Sequence, residues 1–165
     1  MAADVNPFVR IAQEHADVPE TKRTARLSRA IGETIPFVQT AGCSIEAYTN
    51  THVAVRLDDR EALHNHIGSL HAAVLALLAE TATGLVVALN LTPPAVPLLR
   101  SMTLDFKRIA HGAVRADARL SGSDAQRLSN RPIGKIDVPI HLEDASAAAP
   151  VTGTMQWAWI PEDRL

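Results

Sequence analysis

Hydrophobic and polar positions along this chain repeat with two different periods, and the switches between them mark its elements. From Cys43 the period is two. Ile45 and Ala47 alternate with Ser44, Glu46 and Tyr48, then Val53, Val55 and Leu57 alternate with His52, Ala54 and Arg56. Asn50-Thr51 between these runs predicts a hairpin turn. A long apolar stretch follows, Ser69 to Thr83, with apolar residues almost all the way round a helical wheel. It predicts a buried helix with Ser69 as its N-cap and Gly84 as its stop. Beyond it the period returns to two. Strands are expected over Val86 to Leu91 (ending at a Pro93-Pro94 turn), Leu99 to Lys107, Ala113 to Leu120, Ile133 to Leu142 and Val151 to Ile160. The loops between the strands are too short for parallel crossovers, so the sheet should be antiparallel, one face on the helix and the other in water.

Two helical stretches broken by proline precede all this. One runs from Pro7 to about Ala16 and the other from Glu20 to about Ile31, with Pro19 and Pro36 as punctuation. We read residues 1–36 as an N-terminal helical extension and 37–165 as one domain of α+β class. In the extension, Lys22, Arg23, Arg26 and Arg29 share a face that reads as a solvated basic surface. The segments Ser121 to Pro132 and Asp144 to Pro150 read as loops, the first long and mobile.

Composition narrows the function classes. With 165 residues, 47% of them hydrophobic, the chain can bury one real core. Its 16 basic and 18 acidic residues provide no positive field for nucleic acid. The one cysteine, Cys43, permits no intrachain disulfide. Met1-Ala2-Ala3-Asp4 lacks the opening of a secretory leader, and the longest apolar run, Ala72 to Ala79, is far short of the roughly 18 to 20 residues that span a bilayer. A cytoplasmic protein with no stable membrane anchoring is expected.

One acid contradicts the pattern around it. Glu80 lies inside Val74-Leu75-Ala76-Leu77-Leu78-Ala79-Glu80, where desolvating a carboxylate costs free energy unless the group is paired or used. Asn65, Gly68 and His71 precede it. Taken alone, Asn65 and His66 read as turn-closing and helix-capping residues, and the alternative use of Glu80 is a structural ion pair across a dimer. The spacing of His64, His66 and His71 is not that of a metal site, so no metal is expected.

Together, Asn65-His66-Ile67-Gly68-Ser69-Leu70-His71-Ala72-Ala73, then Leu78-Ala79-Glu80-Thr81-Ala82, and later Leu104-Asp105-Phe106-Lys107-Arg108-Ile109-Ala110-His111-Gly112 resemble the hotdog-fold acyl-CoA thioesterases of the 4-hydroxybenzoyl-CoA and phenylacetate-pathway group. The likeness spans about residues 40 to 160. It implies a curved antiparallel sheet wrapped round one central helix, and thioester hydrolysis with no cofactor. Carried over, it implies Glu80 as nucleophile or general base, Asn65 as the residue positioning water or thioester, His71 as the residue before the oxyanion amide, and the Ala72 N–H as that amide. Three positions depart from the family pattern: Ala72-Ala73 replace its glycines, and Ile109 replaces a proline.

His71 and Glu80 are nine residues apart, which on a helix is about 180° of rotation and about 13 to 14 Å of rise. They cannot reach one substrate atom within one chain. A site that uses both must lie between two protomers, so a homodimer or a dimer of dimers is expected. Gly68, Lys107, Arg108, Arg127 and Arg131 are the candidate substrate-binding residues, the basic ones facing coenzyme A phosphates. Trp157 and Trp159 are candidates for an acyl pocket or for core. The competing functions are enoyl-thioester hydration on the same fold and a non-catalytic module that binds an acyl thioester or a fatty acid.

Overall fold

Three helices lead into the sheet in the computed structural model, which describes residues 6–92 and 95–165. The Pro93-Pro94 turn lies outside them. Helix α1 (Pro7–Glu14) begins with Pro7 at its first position and with the Asn6 side chain accepting from the Phe8 N–H at 2.9 Å. Helix α2 (Glu20–Thr34) runs a turn beyond the expected end at Ile31. Pro36 does not merely punctuate: it opens helix α3 (Pro36–Ala41), which stops at Gly42 in the left-handed region, φ 73°. Ile11, Leu27, Ile31, Val38 and Ala41 belong to the same continuous core as the sheet and the central helix.

Strands β1 (Ser44–Tyr48) and β2 (His52–Leu57) form the expected hairpin, and helix α4 (Ala72–Ala88) follows. Then come β3 (Ala95–Phe106), β4 (Val114–Arg119), helix α5 (Gly122–Asn130), β5 (Gly134–Asp144) and β6 (Val151–Pro161). The six strands make one curved antiparallel sheet in the order β1-β2-β4-β5-β6-β3. Alternation places one face of each inner strand on α4. Along β5, for example, Ile136, Val138, Ile140 and Leu142 are buried, while Lys135, Asp137, Pro139 and His141 are exposed. Burying each of these large side chains stabilises the fold by about 1.5 to 3 kcal/mol. This is the hotdog arrangement expected from the sequence.

Several elements differ from the sequence reading, each for a local reason. The cap of α4 is His71 and not Ser69. His71 Nδ1 accepts from the Ala73 N–H at 3.0 Å, while Ser69 Oγ is already bonded to Asn65. Gly84 does not end α4. A Cβ there would sit 2.7 Å from the Trp157 ring, so glycine serves close helix–sheet packing in the middle of the helix. Val86, Val87 and Ala88 are the last turn of α4 instead of a strand, because a short apolar run fits either element when all sides are buried. The expected loop from Ser121 to Pro132 contains α5, capped by Ser121 Oγ on the Asp124 N–H, with Ala125 and Leu128 turned inward.

Candidate functional site

The loop that leads into α4 is built by Asn65. Its Oδ1 accepts from the backbone N–H groups of Ile67 (3.0 Å) and Ser69 (3.2 Å), and its Nδ2 donates to Ser69 Oγ at 3.0 Å. Gly68 completes the turn at φ 75°, a conformation that costs a side-chain-bearing residue about 1 kcal/mol. His71 then caps the helix through Nδ1, which fixes the neutral imidazole as the tautomer with its proton on Nε2. The Ala73 amide is taken by this cap, and the amides of Val74 and Leu75 reach the His71 carbonyl. The Ala72 N–H has no partner among the described residues, and Ala72 is exposed. It is the free positive end of the α4 dipole. Ala72 lines a cavity of about 360 Å³ together with Asn65, Ser69, Phe106, Arg108 and Ile109.

Glu80 lies elsewhere. It is half-buried in the wall of a second cavity, about 200 Å³, whose other walls are Phe8, Ile35, Val38, Leu77, Thr81, Gly84, Leu85, Ala88, Pro97 and Trp157. No cation or hydrogen-bond donor faces the Glu80 carboxylate among the described residues. Burial alone pushes its proton affinity up. Among the described residues of its own chain it forms no ion pair.

Ala72 and Glu80 are separated by about 12 Å of helix rise and open on different cavities. The protomer therefore does not bring Glu80 together with Asn65, His71 and Ala72. Both cavities touch β3, however, at opposite ends: Pro97 lines the Glu80 cavity and Phe106 lines the Ala72 cavity. β3 is an edge strand of 12 residues, paired only with β6, and it exposes Met102 (39%) and Phe106 (48%).

The basic candidates divide the same way. Arg108 borders the Ala72 cavity with Lys107 exposed beside it, whereas Arg131 borders a different cavity with Thr92 and Ala95 at the other end of β3. Arg127 on α5 pairs with Asp124 at 3.3 Å. Twelve extended residues span roughly 36 Å, so the four do not form one cluster in a protomer. Of the hydroxyls and indoles, Thr83 Oγ1 is used by Trp157 Nε1 at 3.0 Å. Trp157 lines the Glu80 cavity, and Trp159 donates to the Arg131 carbonyl and packs on Gly134.

Asp144 was hidden in a stretch that reads as a compositional loop. Its fully buried carboxylate accepts from Arg108 Nη1 (2.8 Å), the His111 N–H (3.0 Å), the Ser146 N–H (3.0 Å) and Ser146 Oγ (2.6 Å). The Arg108 guanidinium and these donors hold the carboxyl far below the usual carboxylate range. Asp144 thus fixes Arg108 and the 108–112 turn at the mouth of the Ala72 cavity. Asp144→Ala is expected to lower unfolding free energy by about 3 kcal/mol, because several donors lose their acceptor at once. Asp144's folded-state proton affinity is depressed, so its contribution is full above the ordinary carboxylate range and is lost progressively as pH falls from there toward the depressed folded value. Urea unfolding at pH 7 and pH 3 checks this: the difference between wild type and variant should shrink at pH 3, and equal stability at pH 7 would contradict it.

The family described as a domain of unknown function, DUF4442, matches residues 23–160. No curated protein matches the chain. A Pseudomonas aeruginosa protein of unknown function, PA5026, described as a probable thioesterase, is 26% identical; the likeness covers 82% of this chain and 93% of that one with a TM-score of 0.73. The Haemophilus influenzae thioesterase HI1161 is 16% identical, with 81% of this chain and 90% of that one covered and a TM-score of 0.67, a likeness of fold. No described helix is long and apolar enough to cross a membrane. The chain belongs to the DUF4442 family and has the hotdog fold of the probable thioesterases it resembles.

Proposed function

We propose that the protein hydrolyses an acyl thioester, an acyl-CoA in the first instance, at a site completed by a second copy of the chain. The observation that carries this reading is the Glu80 carboxylate, half-buried in an otherwise apolar cavity with no partner. An unpaired acid in such a wall costs stability, and perturbed carboxylates of this kind gather at sites of proton transfer. The structural likeness to a probable thioesterase from Pseudomonas aeruginosa supports the reaction class.

Edge strand β3 supports the dimer. A long exposed edge invites pairing with another strand. Antiparallel pairing of two β3 strands about a two-fold axis between Ser101 and Met102 would set Pro97 of one protomer beside Phe106 of the other. The Glu80 cavity of one chain then adjoins the Ala72 cavity of its partner. The same symmetry carries the Arg127 and Arg131 end of one protomer toward the Lys107 and Arg108 end of the other, gathering positive charge for the coenzyme A phosphates.

In this site the thioester carbonyl oxygen accepts from the free Ala72 N–H, and the acyl group enters the Glu80 cavity. Asn65, Gly68 and His71 act by holding the loop and cap that present this amide. Glu80 takes a proton from water as the water oxygen attacks the carbonyl carbon. Negative charge develops on the carbonyl oxygen, where the amide and the helix dipole stabilise it by about 3 kcal/mol. The C–S bond then breaks, the thiol leaves with a proton returned from Glu80, and the carboxylic acid is released.

The direct test is purified protein incubated with acyl-CoAs and a thiol-reactive dye. Thiol release supports the reading; tight binding with no release contradicts it in favour of a binding module. Glu80 must be ionised to act as base, and its proton affinity is raised, so kcat/KM should climb with pH through a midpoint above the ordinary carboxylate range. A profile flat from pH 4 to 8 would count against Glu80 as the base.

A further inference from the structure

The Glu80 cavity is not closed by the hotdog domain alone. Phe8, which lies ahead of the segment 23–160 shared with the family, forms part of its wall, and Ile35 and Val38 at the junction of α2 and α3 form another part. Phe8 is held firmly. Asn6 Nδ2 donates to the carbonyls of Ala88 (2.6 Å) and Leu91 (3.2 Å) at the end of α4, while Asn6 Oδ1 accepts from the Phe8 N–H. Tyr48 on β1 donates its hydroxyl to the Phe8 carbonyl at 3.1 Å. The start of α1 is thus bolted to the end of the central helix and to the sheet, which fixes the backbone from which the phenyl ring joins the wall.

We propose that the N-terminal helical extension sets the length of the acyl group, with Phe8 as the specificity-determining residue and an uncharged apolar acyl chain of about six to eight carbons as the occupant. The inference rests on thioester hydrolysis being the reaction. Two features of the cavity define the occupant. Its volume is about 200 Å³, somewhat more than the roughly 150 Å³ that holds a benzene molecule in an engineered protein cavity. Its lining side chains offer a substrate no free hydrogen-bond donor, since the Thr81 hydroxyl already donates to the Leu77 carbonyl at 2.7 Å and the Trp157 indole to Thr83. An anionic acyl group would lose its hydration there and meet only another carboxylate.

Phe8→Ala removes the ring without touching Asn6, Tyr48 or Glu80 and should admit longer chains. Val38→Phe adds bulk at another lining position and should exclude all but short ones. The experiment measures kcat/KM on straight-chain acyl-CoAs from two to sixteen carbons. For the wild type we expect an optimum near six to eight carbons. For Phe8→Ala the ratio of the twelve-carbon to the six-carbon substrate should rise about tenfold or more, since each methylene in an apolar pocket is worth about that factor. Phe8→Leu should fall between the two, and it serves as the folded comparison if the alanine variant does not fold. Length preferences that coincide in wild type, Phe8→Leu and Val38→Phe would overturn the proposal even if hydrolysis is brisk. A parallel titration with free fatty acids of the same lengths, read by isothermal calorimetry, separates the two layers. If no variant hydrolyses a thioester, the reaction is wrong, and the shift in acid binding between variants still upholds or overturns the role of Phe8.

Discussion

Glu80→Gln is expected to lower kcat for thioester hydrolysis by about a thousandfold while leaving the protein folded and dimeric. A positioned general base contributes roughly a hundredfold to ten-thousandfold, and glutamine keeps the volume and loses the base. Stability should move the other way. Burial raises the folded-state proton affinity of Glu80, so the charged carboxylate is less tolerated in the folded chain than in the unfolded one. That cost is absent below the ordinary carboxylate range and sets in as pH rises through it. Glu80→Gln should therefore melt at a higher temperature than wild type at pH 8 and at nearly the same temperature at pH 3. Thermal melts at the two pH values, beside steady-state rates, check both halves. An unchanged rate on a good acyl-CoA would remove Glu80 from the mechanism. A lost rate with a lowered melting temperature at pH 8 would mark it as structural.

Ala72→Pro probes the other half of the site with one atom in view. Proline lacks the N–H proposed to face the developing oxyanion, yet the first position of a helix is where proline fits best. The preceding residue is already suited to it: His71 has φ −66° and ψ 139°, the extended region that a following proline requires. No intramolecular hydrogen bond is broken, since the Ala72 amide has no partner among the described residues. We expect kcat to fall about a hundredfold to a thousandfold, as when one oxyanion donor is removed, with the melting temperature little changed. Ala72→Gly, which keeps the amide, should retain most of the rate. If Ala72→Pro is as active as wild type, the carbonyl is polarised by something else.

The fold was legible wherever the pattern repeats over several turns or strand residues. The alternations in 45–57, 114–120 and 133–142 and the apolar run of α4 all correspond to observed elements. Errors cluster where a residue type has two uses. Gly84 reads as a helix stop, but it packs against Trp157, far along the chain. Val86 and Val87 read as strand because β-branched apolar residues favour sheets, yet tertiary packing holds them in α4. In α5 only Ala125 and Leu128 are buried, too weak a stripe to stand out from a polar loop. The candidate site was legible where physics made a residue incongruous: a carboxylate in an apolar run is visible in one dimension, and the structure places it in a cavity wall. Phe8 and Asp144 were not visible, because each acquires its role from partners distant in sequence. Asp144 lies 36 positions from Arg108, and Phe8 joins a wall made by α4, β3 and β6.

Mixing the two inactive variants tests the central claim most directly. Glu80→Gln and Ala72→Pro protomers, denatured together and refolded in equal amounts, should form mixed dimers in half of the population. Each mixed dimer would pair the intact Ala72 amide of one chain with the intact Glu80 of the other, so one of its two sites works. Activity of about a quarter of the wild-type level, from two preparations that are each nearly inert, is the predicted result. Mixed dimers with no more activity than their parents would contradict a site shared between two chains.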